Sequence, residues 1–252
     1  LKKVKIAMGI NLKNIIWTRD PQEAMDNPYE WDAQMKFVKE ANEFLRKIRK
    51  HIIENKSFTK DDLSKEKAIW MLSLVALDSA IEITISLKRN QIHVIYHLLR
   101  SIQEALDLAT FFSFGDEKAS DSLNNWYSGK IVSHGEYRAY LKEMGNKEKS
   151  DHLNEIYKTL SKFNHNAYPT LLYSYFLAPN GFIHHYGRYE SDSSKPVNTI
   201  AMLHAIAAKV ILELSFQLPI LKVLDASVLL DFIGDQKRKR AVKRKYQIKK
   251  NH

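Results

Sequence analysis

The chain has 252 residues, of which 44% are hydrophobic and 27% charged, and it contains no cysteine. This suits a globular fold with a sizeable core and excludes disulfides, thiol nucleophiles and cysteine-ligated zinc. The formal charge of +10 sits at one end: nine of the 39 Lys and Arg fall in Gln236 to His252 without an acid, leaving 30 basic against 29 acidic residues elsewhere.

The opening residues, LKKVKIAMGINLKN, lack the apolar core of a secretory signal, so a cytoplasmic location is expected. Residues 1–28 read as an N-terminal arm ending in Asp26, Asn27 and Pro28, before a helical-bundle domain over 29–234 and a basic tail over 235–252. Trp31, Met35, Val38, Ala41, Leu45, Ile48 and Ile52 recur at helical spacing and predict the first helix. After a break at Asn55 to Lys60, Thr59 followed by Asp61 and Asp62 reads as a helix start.

Two long apolar helices are predicted next, over about Leu63 to Lys88 and Gln91 to Phe112. The first is long enough to span a bilayer, but Asp78 and Glu82 would each cost roughly 2.5 to 3.5 kcal/mol there, so it reads as a core helix with no membrane role. On the second, His93, His97, Arg100, Glu104 and Asp107 form an ionisable stripe three or four residues apart. Buried charges need partners. If Lys88 to Gln91 makes the turn of an antiparallel hairpin, residues whose numbers sum to roughly 179 lie opposite each other, setting Asp78 against Arg100 and Glu82 against His97. Such a stripe is either a charge network that fixes helix register or a functional polar cleft.

Gly115 and Asp116 end the second helix, and shorter helices are predicted over Glu117 to Tyr127 and Gly135 to Met144, the latter capped by Gly145. Lys147 to Tyr175 reads mostly as helix until Pro169 interrupts. Between about residues 173 and 189 the period turns extended, and Asn180-Gly181 predicts one small β-hairpin. Ser191 to Pro196 reads as a loop, Val197 to Val223 as a helix bent near Pro219, and Ala226 to Ile233 as a short helix. The expected fold is all-α: a helical bundle around a long antiparallel helical hairpin, with a β-hairpin insertion and a basic C-terminal tail.

Glycine-rich phosphate loops, a Gly-x-Ser-x-Gly elbow and paired Glu-x-x-His motifs are absent, so no cofactor and no metal is expected. His93 and His97 have two-ligand spacing without the Glu of a zincin, and His184 and His185 would point to opposite faces of a strand. The tail residues Lys237, Arg238, Lys239, Arg240, Lys243, Arg244 and Lys245 can neutralise phosphates without reading bases, which makes nucleic acid, RNA ahead of DNA, the expected partner. A homodimer or another protein partner stays open. In YKTLSKFNHNAYP, Tyr157, Ser161, His165 and Tyr168 share a helical face, with a hydroxyl one turn before an imidazole. Were that face to meet the stripe, His165, Arg100 and Glu104 would share a pocket; otherwise His165 and Asn166 simply finish a helix.

The order Arg100-x-x-x-Glu104 in LLRSIQEALDLA, then Trp126-Tyr-Ser-Gly-Lys130, then Tyr157 to His165 resembles an uncharacterised bacterial all-helical family. It is also distantly similar to the HEPN superfamily of ribonuclease toxins and abortive-infection proteins, over about Leu63 to Tyr175. The resemblance implies a metal-independent ribonuclease in bacterial defence or a toxin system. It assigns proton transfer to His165 beside Ser161, the phosphate to Arg100 or Lys162, and pocket orientation to Glu104. The chain departs from the HEPN pattern in having no Arg within six residues before His165, Lys162 standing three before it. The alternative is a non-enzymatic interaction subunit whose stripe is internal and whose tail binds acidic partners.

Overall fold

A computed structural model describes residues 30–133, 135–165, 175–177, 183–185 and 197–235. The expected N-terminal arm, the Asn180-Gly181 turn, the Ser191 to Pro196 loop and the basic tail from Gln236 lie outside the described residues. The described chain is an all-α bundle: α1 (Trp31–Asn55), α2 (Lys65–Lys88), α3 (Ile92–Phe114), α4 (Glu117–Tyr127), α5 (Gly135–Glu143), α6 (Lys147–Asn164), α7 (Val197–Ile220) and α8 (226–235). Two three-residue strands, β1 (Tyr175–Leu177) and β2 (Ile183–His185), pair antiparallel with Phe176 opposite His184.

Packing centres on α2, which lies against α1, α3 and α7. Its small residues Ser73, Ala76, Ser79 and Ala80 are buried beside Leu72, Leu77 and Ile83, and short side chains allow close helix approach. On its α1 side, buried Thr84 accepts a hydrogen bond from Asn42 Nδ2 at 2.6 Å and donates to the Ile81 carbonyl at 2.6 Å. That leaves the hydroxyl satisfied inside an apolar layer. By length and composition Lys65–Lys88 and Thr199–Ile220 could each cross a membrane; here more than half of each apolar stretch is buried in the bundle.

The α2–α3 corner explains the hairpin. Asn90 takes a left-handed backbone (φ 53°), which asparagine tolerates better than most residues, and the N–H of Gln91 bonds back to the Ser86 carbonyl at 2.9 Å. The chain reverses within three residues, and Ser79 Oγ donates to Ser101 Oγ at 3.1 Å across the helices, one step from the expected register. The expected ion pairs do not follow. Successive helical residues are turned by about 100°, so with Ser79 facing α3 its neighbour Asp78 points elsewhere. It bonds Arg49 of α1, while Glu82 and His97 are both exposed.

Helix ends deviate from expectation where side chains capture backbone groups. The cap of α2 is Ser64, whose hydroxyl accepts from Lys67 N at 3.2 Å, because Asp62 accepts from the Ser64 N–H at 2.7 Å and holds the preceding residues in a turn. Lys67 Nζ then ties that turn down through the carbonyls of Thr59, Lys60 and Asp62. Gly115 is needed at the α3–α4 corner, since a Cβ there would lie 2.3 Å from the Ala119 Cβ. Gly145 (φ 78°) closes α5 as expected, with Asn146 N bonding the Leu141 carbonyl at 2.8 Å. α6 runs to Asn164 with His165 as its C-cap, and the rest of the stretch expected to be mostly helical, residues 166–174, lies outside the described residues.

Leu77 is fully buried on α2, whereas Ile131 is fully exposed. Leu77→Ala is expected to lower unfolding free energy by about 2–5 kcal/mol in urea denaturation, and Ile131→Ala to change it by less than about 0.5 kcal/mol.

Candidate polar site between three helices

Helices α5 and α6, joined by the short Met144 to Asn146 turn, form a second antiparallel hairpin that lies against α3. At one end Tyr96 of α3 and Phe163 of α6 stack with ring centroids 3.4 Å apart and planes 12° from parallel. Ser150 of α6 donates to the Arg138 carbonyl at 2.9 Å, tying α6 to α5. These contacts bring the polar part of α3 against Tyr137 and Arg138 of α5 and Tyr157 of α6.

In the cluster so formed, Arg100 Nε donates to Glu104 Oε1 at 2.7 Å and its Nη2 donates to the Tyr157 hydroxyl at 2.7 Å. Two guanidinium groups lie over the Tyr157 ring: Arg100 Cζ is 4.8 Å and Arg138 Cζ 4.7 Å from its centroid. Both contacts are of cation–π type. One turn beyond Glu104, Asp107 is only 3% exposed, and its Oδ1 accepts from Gln103 Nε2 at 2.8 Å. Its Oδ2 and the Nη1 of Arg138 are buried and have no hydrogen-bond partner among the described residues.

Burial pushes the Asp107 carboxyl up to about 7, against the pull of the Gln103 hydrogen bond and the charges of Arg138 and Lys149; Glu104 adds a smaller push upward. Tyr137, buried and close to Asp107, is pushed up to about 12. The cluster therefore holds a carboxyl able to change charge near neutrality beside two cations fixed on one aromatic ring. Chemically it can bind an anion, and it can take up or release a proton.

Of the residues singled out in the sequence, Arg100 and Glu104 are brought together, with Tyr157 as their third member. His165 is not in this cluster: it is exposed at the C-cap of α6, eight residues after Tyr157, or about 12 Å along the helix axis. Lys162 is exposed as well, and the buried Ser161 Oγ has no hydrogen-bond partner among the described residues. Tyr168 and the cations Lys237, Arg238, Lys239, Arg240, Lys243, Arg244 and Lys245 lie outside the described residues. The member the sequence did not suggest is Arg138. It stands in a short polar helix with no motif, and only the α5–α6 reversal delivers it.

Among the described residues no three His, Asp or Glu side chains gather as a metal-ligand set. Buried His204 on α7 binds the Ile200 carbonyl through Nδ1 at 2.9 Å and meets the Phe37 ring edge-on; burial lowers its pKa. A cavity of about 360 Å³ between α4 and α5 is lined by Phe111, Tyr140, Lys118, Ser122, Glu136 and others. There Lys118 bonds both oxygens of Glu143, and Ser122 donates to Glu136. Comparison of the chain with models of known families, with characterised proteins and with solved structures finds no match.

The raised Asp107 carboxyl makes a signed prediction. An unfolded chain releases this proton near pH 4, whereas the fold holds it to about 7, so ionisation is a cost to the native state. Through this residue stability declines as pH rises between those values and is level above them. Asp107→Asn should remove the decline, gaining on the parent by about 2–4 kcal/mol in denaturant titrations at pH 8 relative to pH 4.

Proposed function

We propose that the chain binds RNA, with Arg138 and Tyr157 contacting the strand and the cations from Lys237 to Lys250 supplying sequence-independent attraction to phosphates. The observation that carries this reading is Arg138. It is a half-buried guanidinium stacked on Tyr157, and among the described residues none of its N–H groups is taken by a carboxylate or carbonyl. A stacked guanidinium with donors to spare suits a phosphate oxygen, and an aromatic ring beside it suits an unpaired base.

RNA cleavage without a metal is the catalytic form of this proposal, supported by the likeness to HEPN ribonucleases. In it His165 transfers the proton, Ser161 stands one turn before it, Lys162 or Arg100 meets the phosphate and Glu104 orients Arg100. The exposure of His165 and Lys162 on the last turn of α6 leaves them within reach of a strand. A role in bacterial defence or a toxin system, in the cytoplasm, belongs to the same proposal. The second reading, an interaction subunit with an internal charge network, is favoured by Arg100, which spends its donors on Glu104 and Tyr157.

Titrating labelled single-stranded RNA with the purified protein tests both. Affinity is expected to fall steeply with salt, and removing residues 236–252 to flatten that slope by about 0.7 for each phosphate no longer neutralised. Arg138→Ala should weaken binding roughly fivefold. Product formed by the parent and not by His165→Ala would assign cleavage. Absence of both salt-sensitive binding and product would sink the proposal. Under the rival reading Arg100→Ala mainly lowers Tm, whereas an active-site role for Arg100 predicts lost cleavage with only a modest thermal shift.

A further inference from the structure

Asp107 and Arg138 stand on facing helices, close enough for the guanidinium to act on the carboxyl, yet no ion pair joins them. Each keeps one buried atom unbonded, an acceptor at Asp107 Oδ2 and a donor at Arg138 Nη1. Such a pair costs this state stability and marks two groups ready to take a partner in another. The Gln103 hydrogen bond holds Asp107 in place through Oδ1, so only Oδ2 is open to a new partner. The Arg138 side chain is held by stacking on Tyr157, an arrangement that a pivoting guanidinium can keep or leave.

We propose that Asp107 is a proton-controlled competitor for Arg138: the neutral carboxyl leaves the guanidinium free for an RNA phosphate, and the ionised carboxyl draws it into an ion pair at Oδ2. This rests on the RNA-binding reading and names how that site is regulated. The charged groups that act on Asp107 pull in both directions, with the cations the larger influence. Arg138 of α5 and Lys149 of α6 favour its charge, Glu104 on its own helix opposes it, and Tyr137 of α5 stays neutral well beyond the range concerned. Helices α2, α4 and α7 also touch α3, but among the described residues the charges that act on Asp107 come from α3, α5 and α6. Because burial sets the change near pH 7, the switch falls where small pH shifts matter. By reciprocity, a phosphate on Arg138 opposes ionisation of Asp107, so binding takes up a proton.

The test uses the full chain and a short oligouridine, with affinity measured at constant ionic strength from about pH 6 to about pH 8, across the Asp107 transition. The parent is expected to lose about tenfold in affinity over that range. Asp107→Asn, which cannot ionise, should bind at the higher level throughout. Protonation of histidines is common to both proteins and cancels in the comparison. Equal losses in parent and variant would overturn the proposal. Should oligouridine not bind at any pH, the RNA reading fails, and the switch is then read alone from the Arg138 side-chain nitrogen resonances. A shift centred near pH 7 in the parent and missing in Asp107→Asn supports capture of Arg138. A signal that does not move in the parent refutes it.

Discussion

Helix α3 is enclosed on nearly every side, with only Val94, His97 and Phe114 exposed, yet its inner turns carry Arg100, Glu104 and Asp107. That placement is the constraint the architecture answers. Charge moved out of water costs several kcal/mol unless paired or neutralised, so an apolar cover on all faces would not be tolerated. The bundle divides the work. Helix α2 seals one side of α3 with small and aliphatic residues, and the α5–α6 hairpin covers the polar side with Tyr137, Arg138 and Tyr157.

The three acidic and basic groups are handled differently. Arg100 and Glu104 satisfy each other one helical turn apart, which needs no long-range closure and little chain entropy. Asp107 has no ion-pair partner within the same reach and is kept near neutral by burial instead. Arg138, stacked and unbonded at its buried nitrogen, is the charge left over. A cluster that balanced itself fully would be only structural; the surplus cation beside a titratable carboxyl is what makes an anion site worth proposing.

Much of the fold was legible in the residues. Helical periodicity marked the helices, Gly145 marked a real cap, and the short Lys88 to Gln91 turn implied a hairpin whose register the Ser79–Ser101 hydrogen bond matches within one residue. The same arithmetic misdirected Asp78, because register along two helices says nothing of rotation about each. A single residue's turn of about 100° moved that carboxylate from Arg100 to Arg49. The end of α2 at Ser64 was obscured by Asp62, whose side chain competes for the backbone one turn earlier.

For the site, the stripe on α3 could be read from spacing alone, since i, i+3 and i+4 positions share a face whatever the helix packs against. Its need for partners followed from solvation physics. Which residues answered that need could not be read: Tyr157 supplied the partner expected in His165, and Arg138 came from a helix without any motif. Sequence by itself determined the helices, the hairpin and the buried charge, because these depend on local periodicity and on the cost of dehydrating an ion. Only the tertiary structure decided the partners, because the lengths of α5 and α6 and the turn between them set which side chains arrive opposite α3.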